Sequence, residues 1–396
     1  MNSHFHRIPL ALCAAICLAS AANAAEPPRF RSGLIFPLHP KHNHAPGIVE
    51  CSNGDLLVSW YRGSGERTAD DVAVHGARLR KGAASWSSTF LMVDHPDFPD
   101  CNTAMMIDAD QRLWLFRPVI LANTWESCIT HYTISSDYLG DGPPTWDRHG
   151  VILPKPADFQ KPAEEHLDRE LARLPEPHPD WLTKEVATIR ERLGDKLHQR
   201  LGWQPRCKPT VLPSGRILLP LYSDTYSFSL MAISDDDGRN WRASQPLIGY
   251  GAIQPSVLRR DDGTLVAYMR ENGPNERVRV CDSKDDGGTW GPVYLSELPN
   301  PGSGLDGVRL SNGHWLLVYN DTIDGRHSLA VSLSENEGRT WRWTRHLEKH
   351  ESGEYHYPAV IQGKDRTIHV AYSYFVKDGK SMKHAAFNEA WVRRGD

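Results

Sequence analysis

The sequence predicts an all-β fold, a six-bladed β-propeller carrying a helical insertion. Three observations predict it. One β-rich pattern recurs six times, a turn of the form Ser-x-Asp-x-Gly-x-x-Trp follows several copies, and β segments near both ends lie outside the repeats. Bulk properties agree: 396 residues, 40% hydrophobic and 24% charged, suit one large globular β domain.

The first 24 residues read as a separate export segment. His4, His6 and Arg7 precede an apolar run from Ile8 to Ala19, and Ala22-Asn23-Ala24 supplies the small-x-small pattern of a cleavage site. The run is too short to span a bilayer, and large Leu12 and Ile16 ahead of Cys13 and Cys17 argue against lipid attachment. The expected organisation is a secretory signal over residues 1–24 and a mature propeller over 25–396, exported to the periplasm or the exterior. Loss of Arg7 takes the formal charge from -4 to about -5. With no Lys/Arg block, nucleic acid is not an expected partner. No later segment is apolar for long enough to enter a membrane. Neither a cofactor nor an obligate protein partner is signalled. Cys51, Cys101, Cys128, Cys207 and Cys281 remain in the mature chain, an odd number that leaves at least one free or paired between chains.

The six repeats are Ala45–Arg62, Asn102–Arg117, Lys208–Ser223, Gln254–Arg270, Asp306–Asn320 and Tyr357–Ser373. Each joins two β runs by a turn such as Ser52-Asn53-Gly54-Asp55, Asp261-Asp262-Gly263 or Ser311-Asn312-Gly313. Gly and Asn supply the positive φ angles that tight hairpins need. Four intervals are about 50 residues, the length of a four-stranded blade. Ser234–Trp241 and Ser283–Trp290 match the Ser-x-Asp-x-Gly-x-x-Trp turn, and Ser334–Trp341 matches with Asn336 in the Asp place. A short acceptor closes such a turn on its own backbone while Trp covers the hairpin. Phe30–Phe36 and Met382–Phe387 are expected to pair and close the ring, which removes exposed edges.

Residues 157–203 interrupt the repeats with a charged, Pro-rich composition. Leu182, Val186, Ile189, Leu193, Leu197 and Leu201 recur at helical spacing, with Asp180 as the expected N-cap and a shorter helix over Ala163–Leu174. The insertion is either a clamp on the outside of a blade or a wall over the propeller mouth.

Propeller chemistry belongs on the axis, where the innermost strands converge. His44, Asn102, Lys208, Gln254, Asp306 and Tyr357 open the repeated strands, and Arg62, Arg117 and Arg270 end second strands. Such a polar ring suits an anionic sugar, because Arg binds carboxylates bidentately and His, Asp and Tyr move protons. Glu66, Asp70 and Asp71 follow the first repeat and supply a candidate acid. His42 and His44 lack an obvious third ligand, so no metal site is expected.

The repeats, turns and closing strands resemble the bacterial sialidase-like family of BNR-repeat predicted neuraminidases, over nearly all of the mature chain except the insertion. The turns are the Asp boxes of that family. The resemblance implies a three-arginine carboxylate site, a Tyr nucleophile assisted by Glu, and an Asp acid/base. Tyr357 matches the Tyr, Arg270 one arginine, and Asp70 or Asp71 the acid/base region. Two positions depart. His44-Ala45-Pro46 stands where the family has Arg-Ile-Pro, and Gln254 stands where it has Glu. Gln254 cannot take a proton from Tyr357, and His44 adds a group able to titrate near neutrality. In this the chain is similar to propeller enzymes acting on rhamnose–glucuronate termini.

The expected function is therefore an exo-acting enzyme on an anionic uronate- or rhamnose-containing oligosaccharide or polysaccharide, by hydrolysis or β-elimination. His44, Tyr357, Asp70 and Asp71 are the expected catalytic residues. Arg62, Asn102, Arg117, Lys208, Gln254, Arg270 and Asp306 are the expected substrate-binding residues. The alternatives are an exo-α-sialidase and a non-catalytic glycan-binding propeller.

Overall fold

The structure is a computed structural model that describes residues 26–396; the expected export segment lies outside them. Six antiparallel sheets follow one another along the chain. Blade 1 runs from His42–Glu50 to Phe90–Val93, and blade 2 from Ala104–Ile107 to Arg148–Ile152. Blade 3 has a divided inner strand, Trp203–Pro205 and Thr210–Val211, both pairing with Ile217–Ser223. Blades 4 and 5 span Ala252–Pro299 and Asp306–Lys349. Blade 6 is closed by the other end of the chain. Phe30–Leu34 pairs antiparallel with Gly379–Phe387, placing Phe30 opposite Phe387 and Leu34 opposite Lys383.

Each blade packs on its neighbours through apolar residues that alternate with the pleat. Trp315, Leu317 and Tyr319 of blade 5, for instance, meet Leu258, Val266 and Tyr268 of blade 4. The Asp boxes close as expected. Ser283 Oγ accepts from Gly287 N at 3.0 Å, and Asp285 Oδ1 accepts from Thr289 N at 2.9 Å. Gly238 sits at φ +73°, and a Cβ there would collide with Trp114 of blade 2, so the turn needs glycine for both conformation and space. The five cysteines of the described chain are all free and buried.

The insertion holds three helices, Gln160–Leu171, Asp180–Gly194 and Lys196–Arg200. Two expectations are corrected. Asp180 is the first helical residue and Pro179 occupies the N-cap position. The long helix also stops at Gly194, because Asp195 leaves helical geometry and accepts from Leu197 N, starting a new turn. Phe159, Ala163, Leu167, Ile189 and Leu193 pack on Trp203, Tyr226 and Phe228 of blade 3, which makes the insertion a clamp. It also touches the mouth: Arg192 lies 3.3 Å from Glu126, the neighbour of a pocket residue, Trp125. No described helix is long and apolar enough to cross a membrane.

Candidate active site

The innermost strands do not run straight into the axis. Pairing shifts between His44 and Gly47 in blade 1, Ile253 and Ser256 in blade 4, and His356 and Ala359 in blade 6. At these bulges Ala45, Gln254 and Tyr357 take φ of 53°, 58° and 54°, and Asn102 of blade 2 takes 34°. Left-handed backbone is costly for residues with a side chain and concentrates at functional sites. Ala45, Gln254 and Tyr357 each precede a proline, Pro46, Pro255 and Pro358. The repeated X-Pro is thus the sequence signature of the bulge. It also shows that Ala45, not His44, is the structural equivalent of Gln254 and Tyr357.

The bulges build a pocket of about 250 Å³ lined by His44, Asn102, Gln254, Arg270 and Tyr357, together with Tyr61, Glu66, Trp125, Tyr222, Asp224 and Arg326. The Tyr357 hydroxyl accepts from Arg270 Nη1 at 2.8 Å and from Gln254 Nε2 at 3.1 Å. Arg206 and Arg326 stand 5.0 and 5.7 Å from its ring centre. A phenol oxygen facing two donors and flanked by cations is well placed to carry negative charge.

The His44 ring lies 4.2 Å from that of Tyr357, and its Nδ1 meets Ser373 Oγ at 2.8 Å. Burial, helped by nearby His356, pushes His44 well below the usual imidazole range, so it is neutral at pH 7. His356 is lowered in the same way by burial and by Arg326. Arg326 Nη1 meets His356 Nδ1 at 3.0 Å; the guanidinium must donate, so the imidazole proton is on Nε2.

Two carboxylates face the pocket with proton affinities driven in opposite directions. Burial works against the charge of Glu66, but contacts from His42 and the Tyr61 hydroxyl overcome it and hold the acid at about 2. Asp224 is enclosed by the pocket walls yet open to the cavity. That enclosure outweighs the opposing pull of Arg270 and Arg67 and, with smaller contributions from Glu126 and Glu66, raises it to about 6. A chain of amides aims it: Asn102 Nδ2 donates to Gln204 Oε1 at 3.1 Å, and Gln204 Nε2 donates to Asp224 Oδ2 at 2.9 Å.

Six expected site residues lie elsewhere. Asp71 is exposed and engaged by Lys41 and Ser64, and Asp70 accepts from Asn123 on the surface; Glu66 is the member of that loop that reaches the pocket. Arg62 donates to Asn43 and lies 4.8 Å over the Phe36 ring. Arg117 is buried against Asp100 at 2.8 Å. Lys208 and Asp306 form a 2.7 Å ion pair, with Asp306 also accepting from Ser256 Oγ and Val360 N. That pair ties blades 3, 4, 5 and 6 together on the axis, off the pocket, and lines a separate cavity of only about 10 Å³. Asp224 and Arg326 were missed by the sequence reading. Asp224 immediately follows Ser223, a strand end already picked out, whereas Arg326 sits in a loop outside every repeat. Among the described residues no cluster of three or more His, Cys, Asp or Glu could hold a metal.

The closed ring, its Asp-box turns and this polar axial pocket define a six-bladed β-propeller with a candidate site on its axis. A model of the BNR repeat-like domain family matches residues 202–370, less than half of the chain. A stretch of 137 residues is 29% identical to the anhydrosialidase of Macrobdella decora, covering 32% of this chain but only 17% of that relative. Among solved structures, a protein of unknown function from Dyadobacter fermentans is 16% identical with a TM-score of 0.66, over 91% of this chain and 99% of that one. The NanB sialidase of Streptococcus pneumoniae is 12% identical with a TM-score of 0.67, over 91% of this chain and 71% of that one. At these identities the solved structures establish the fold.

Proposed function

We propose that the protein is an exo-acting glycosidase that releases a terminal carboxylate-bearing sugar of the sialic-acid class. The observation that carries this reading is Tyr357 at the pocket floor, held by Arg270 with Arg326 beside it, facing one ionised and one protonatable carboxylate. The leech relative is an anhydrosialidase and the streptococcal neighbour a sialidase, which supports the same sugar class. Of the functions expected from sequence, the sialidase alternative thereby gains more support than the uronate reading.

Arg270 and Arg326 would receive the sugar carboxylate. Protonated Asp224 gives its proton to the glycosidic oxygen as that C–O bond breaks. The Tyr357 oxygen bonds to the anomeric carbon, and its phenol proton passes to pocket water. Water then displaces the Tyr357 oxygen as a phenolate, its proton returning to the Asp224 carboxylate, and the phenolate takes back a proton from the pocket water. Gln254 cannot serve as the base; in its place, Gln254 and Arg270 stabilise charge on the phenol oxygen directly. Glu66 remains anionic and offsets the positive charge that develops on the sugar ring.

His44 and Gln254 favour a second reading. A neutral imidazole beside Tyr357 suits proton abstraction from a uronate, with Arg270 neutralising its carboxylate. A panel of sialyl oligosaccharides and rhamnosyl-glucuronate oligosaccharides separates the two. Release of a sialic acid supports the proposal. An unsaturated uronate or free rhamnose from the second group, with sialosides untouched, overturns it in favour of the uronate reading. Binding without any released sugar identifies a non-catalytic propeller.

A further inference from the structure

Beside the central pocket lies a cavity of about 510 Å³. The two share His44, Glu66 and Arg326 in their linings and so adjoin.

Its charges are unbalanced. Arg326, Lys377 and Lys380 face it, and among the described residues no carboxylate lies within ion-pair distance of any of them. Arg326 gives one Nη1 donor to His356 Nδ1 and one Nη2 donor to the Gly302 carbonyl, which leaves its other N–H groups for a ligand. Lys380 donates to His42 Nδ1 at 2.9 Å and stands 4.6 Å over the Phe375 ring. Of the two acids on the lining, Glu66 is engaged by Tyr61 and His42. Glu354 is exposed, with its nearest imidazole nitrogen 3.7 Å away on His356. That nitrogen, His356 Nε2, is a donor on a side chain only 2% exposed, and it has no hydrogen-bond partner. Buried donors without partners are rare and mark places where a ligand completes the network. Phe375 adds an apolar surface on which a sugar face can lie.

We propose that this cavity is a second sugar subsite, selective for an acidic residue carrying a sulfate ester or a carboxylate next to the terminal sugar. Its adjacency to a scissile bond rests on the glycosidase reading; its ligand chemistry does not. The subsite makes the preferred substrate a glycan with acidic groups on neighbouring residues. Lys377 and Lys380 hold the anion, and His356 Nε2 donates to it.

Calorimetric titration of the intact protein with glucose, glucose 6-sulfate and glucuronic acid tests the assignment. The expected result is binding of at least one acidic sugar at least ~10-fold tighter than glucose, the scale of one charge-assisted hydrogen bond. A Lys377→Gln/Lys380→Gln variant should lose that preference, while Lys364→Gln, at a lysine that lines neither cavity, should keep it. Which acidic sugar binds more tightly separates sulfate from carboxylate. Equal binding of glucose, no binding of any probe, or an acidic-sugar preference retained in the Lys377→Gln/Lys380→Gln variant would each overturn the subsite. Retained acidic-sugar binding with no hydrolysis of any glycan would instead remove the glycosidase reading and leave the subsite standing. Matching thermal unfolding of the variants shows that the lysine changes, at the cavity rim, leave the fold intact.

Discussion

Asp224 and Glu66 are both carboxylates on one small pocket, yet their surroundings drive them apart. Enclosure lifts Asp224 to about 6, and contacts from His42 and Tyr61 hold Glu66 at about 2. A proton donor must carry its proton, so wild-type kcat/KM should fall about tenfold per pH unit above pH ~6, following the Asp224 titration. Asp224→Asn should cost at least ~10²-fold in kcat. A variant within threefold of wild type would remove Asp224 from the chemistry. His44, Gln254, Arg270 and Tyr357 were legible in sequence because each opens or closes a repeated strand that meets the axis. Asp224 lies one residue past Ser223, the end of its repeated strand, so the repeat does not mark it. Arg326 gives no periodic signal at all; its place depends on a loop whose path is set by neighbouring blades. Lys208 and Asp306 misled because equal positions in a repeat do not guarantee equal depth along the axis. Blade 3 breaks its inner strand between Pro205 and Thr210, and Lys208 drops onto Asp306 instead of entering the pocket.

The Asp-box turns and the helical clamp show how local chemistry becomes architecture. Gly238→Ala should lower stability by about 1–3 kcal/mol, the usual cost of a strained left-handed residue, with the clash against Trp114 adding to it. Activity per folded molecule should be unchanged, because the turn is on the outer hairpin; denaturant unfolding beside a turnover assay checks both. Leu193, fully buried against blade 3, should cost about 2–5 kcal/mol when cut to Ala. A loss below ~1 kcal/mol in the same unfolding measurement would contradict the clamp. The helical period of the insertion was legible from Leu182 to Leu193, where the pattern meets a real core. It failed beyond Gly194, since Leu197 is exposed and the backbone reset at Asp195 depends on a cap that the apolar spacing masks.

Closing the ring buries imidazoles as well as apolar side chains, and this couples the whole molecule to pH. Burial lowers His75, His131 and His369 to about 4 and His384 to about 3, and it also holds His44 and His356 well below the usual imidazole range. The unfolded chain takes up these protons near pH ~6.5, while the folded chain refuses them until far lower pH. Stability should therefore be intact above pH ~6.5 and fall as pH drops toward 4; a Tm that stays flat from pH 7 to 4.5 would contradict the burial. The same closure brings His44, Gln254, Arg270, Arg326 and Tyr357 from blades 1, 4, 5 and 6 into one pocket, and the central claim is that this pocket cleaves a terminal sugar by its carboxylate. The most direct test compares wild-type and Arg270→Gln turnover of a sialyl oligosaccharide with that of its carboxamide, which removes the charge and keeps the shape. Wild type should prefer the carboxylate by at least ~10-fold in kcat/KM, as one charge-assisted contact of about 1.5–3 kcal/mol requires, and Arg270→Gln should erase most of that preference. Equal turnover of acid and amide by the wild type, or a preference untouched in Arg270→Gln, would contradict it.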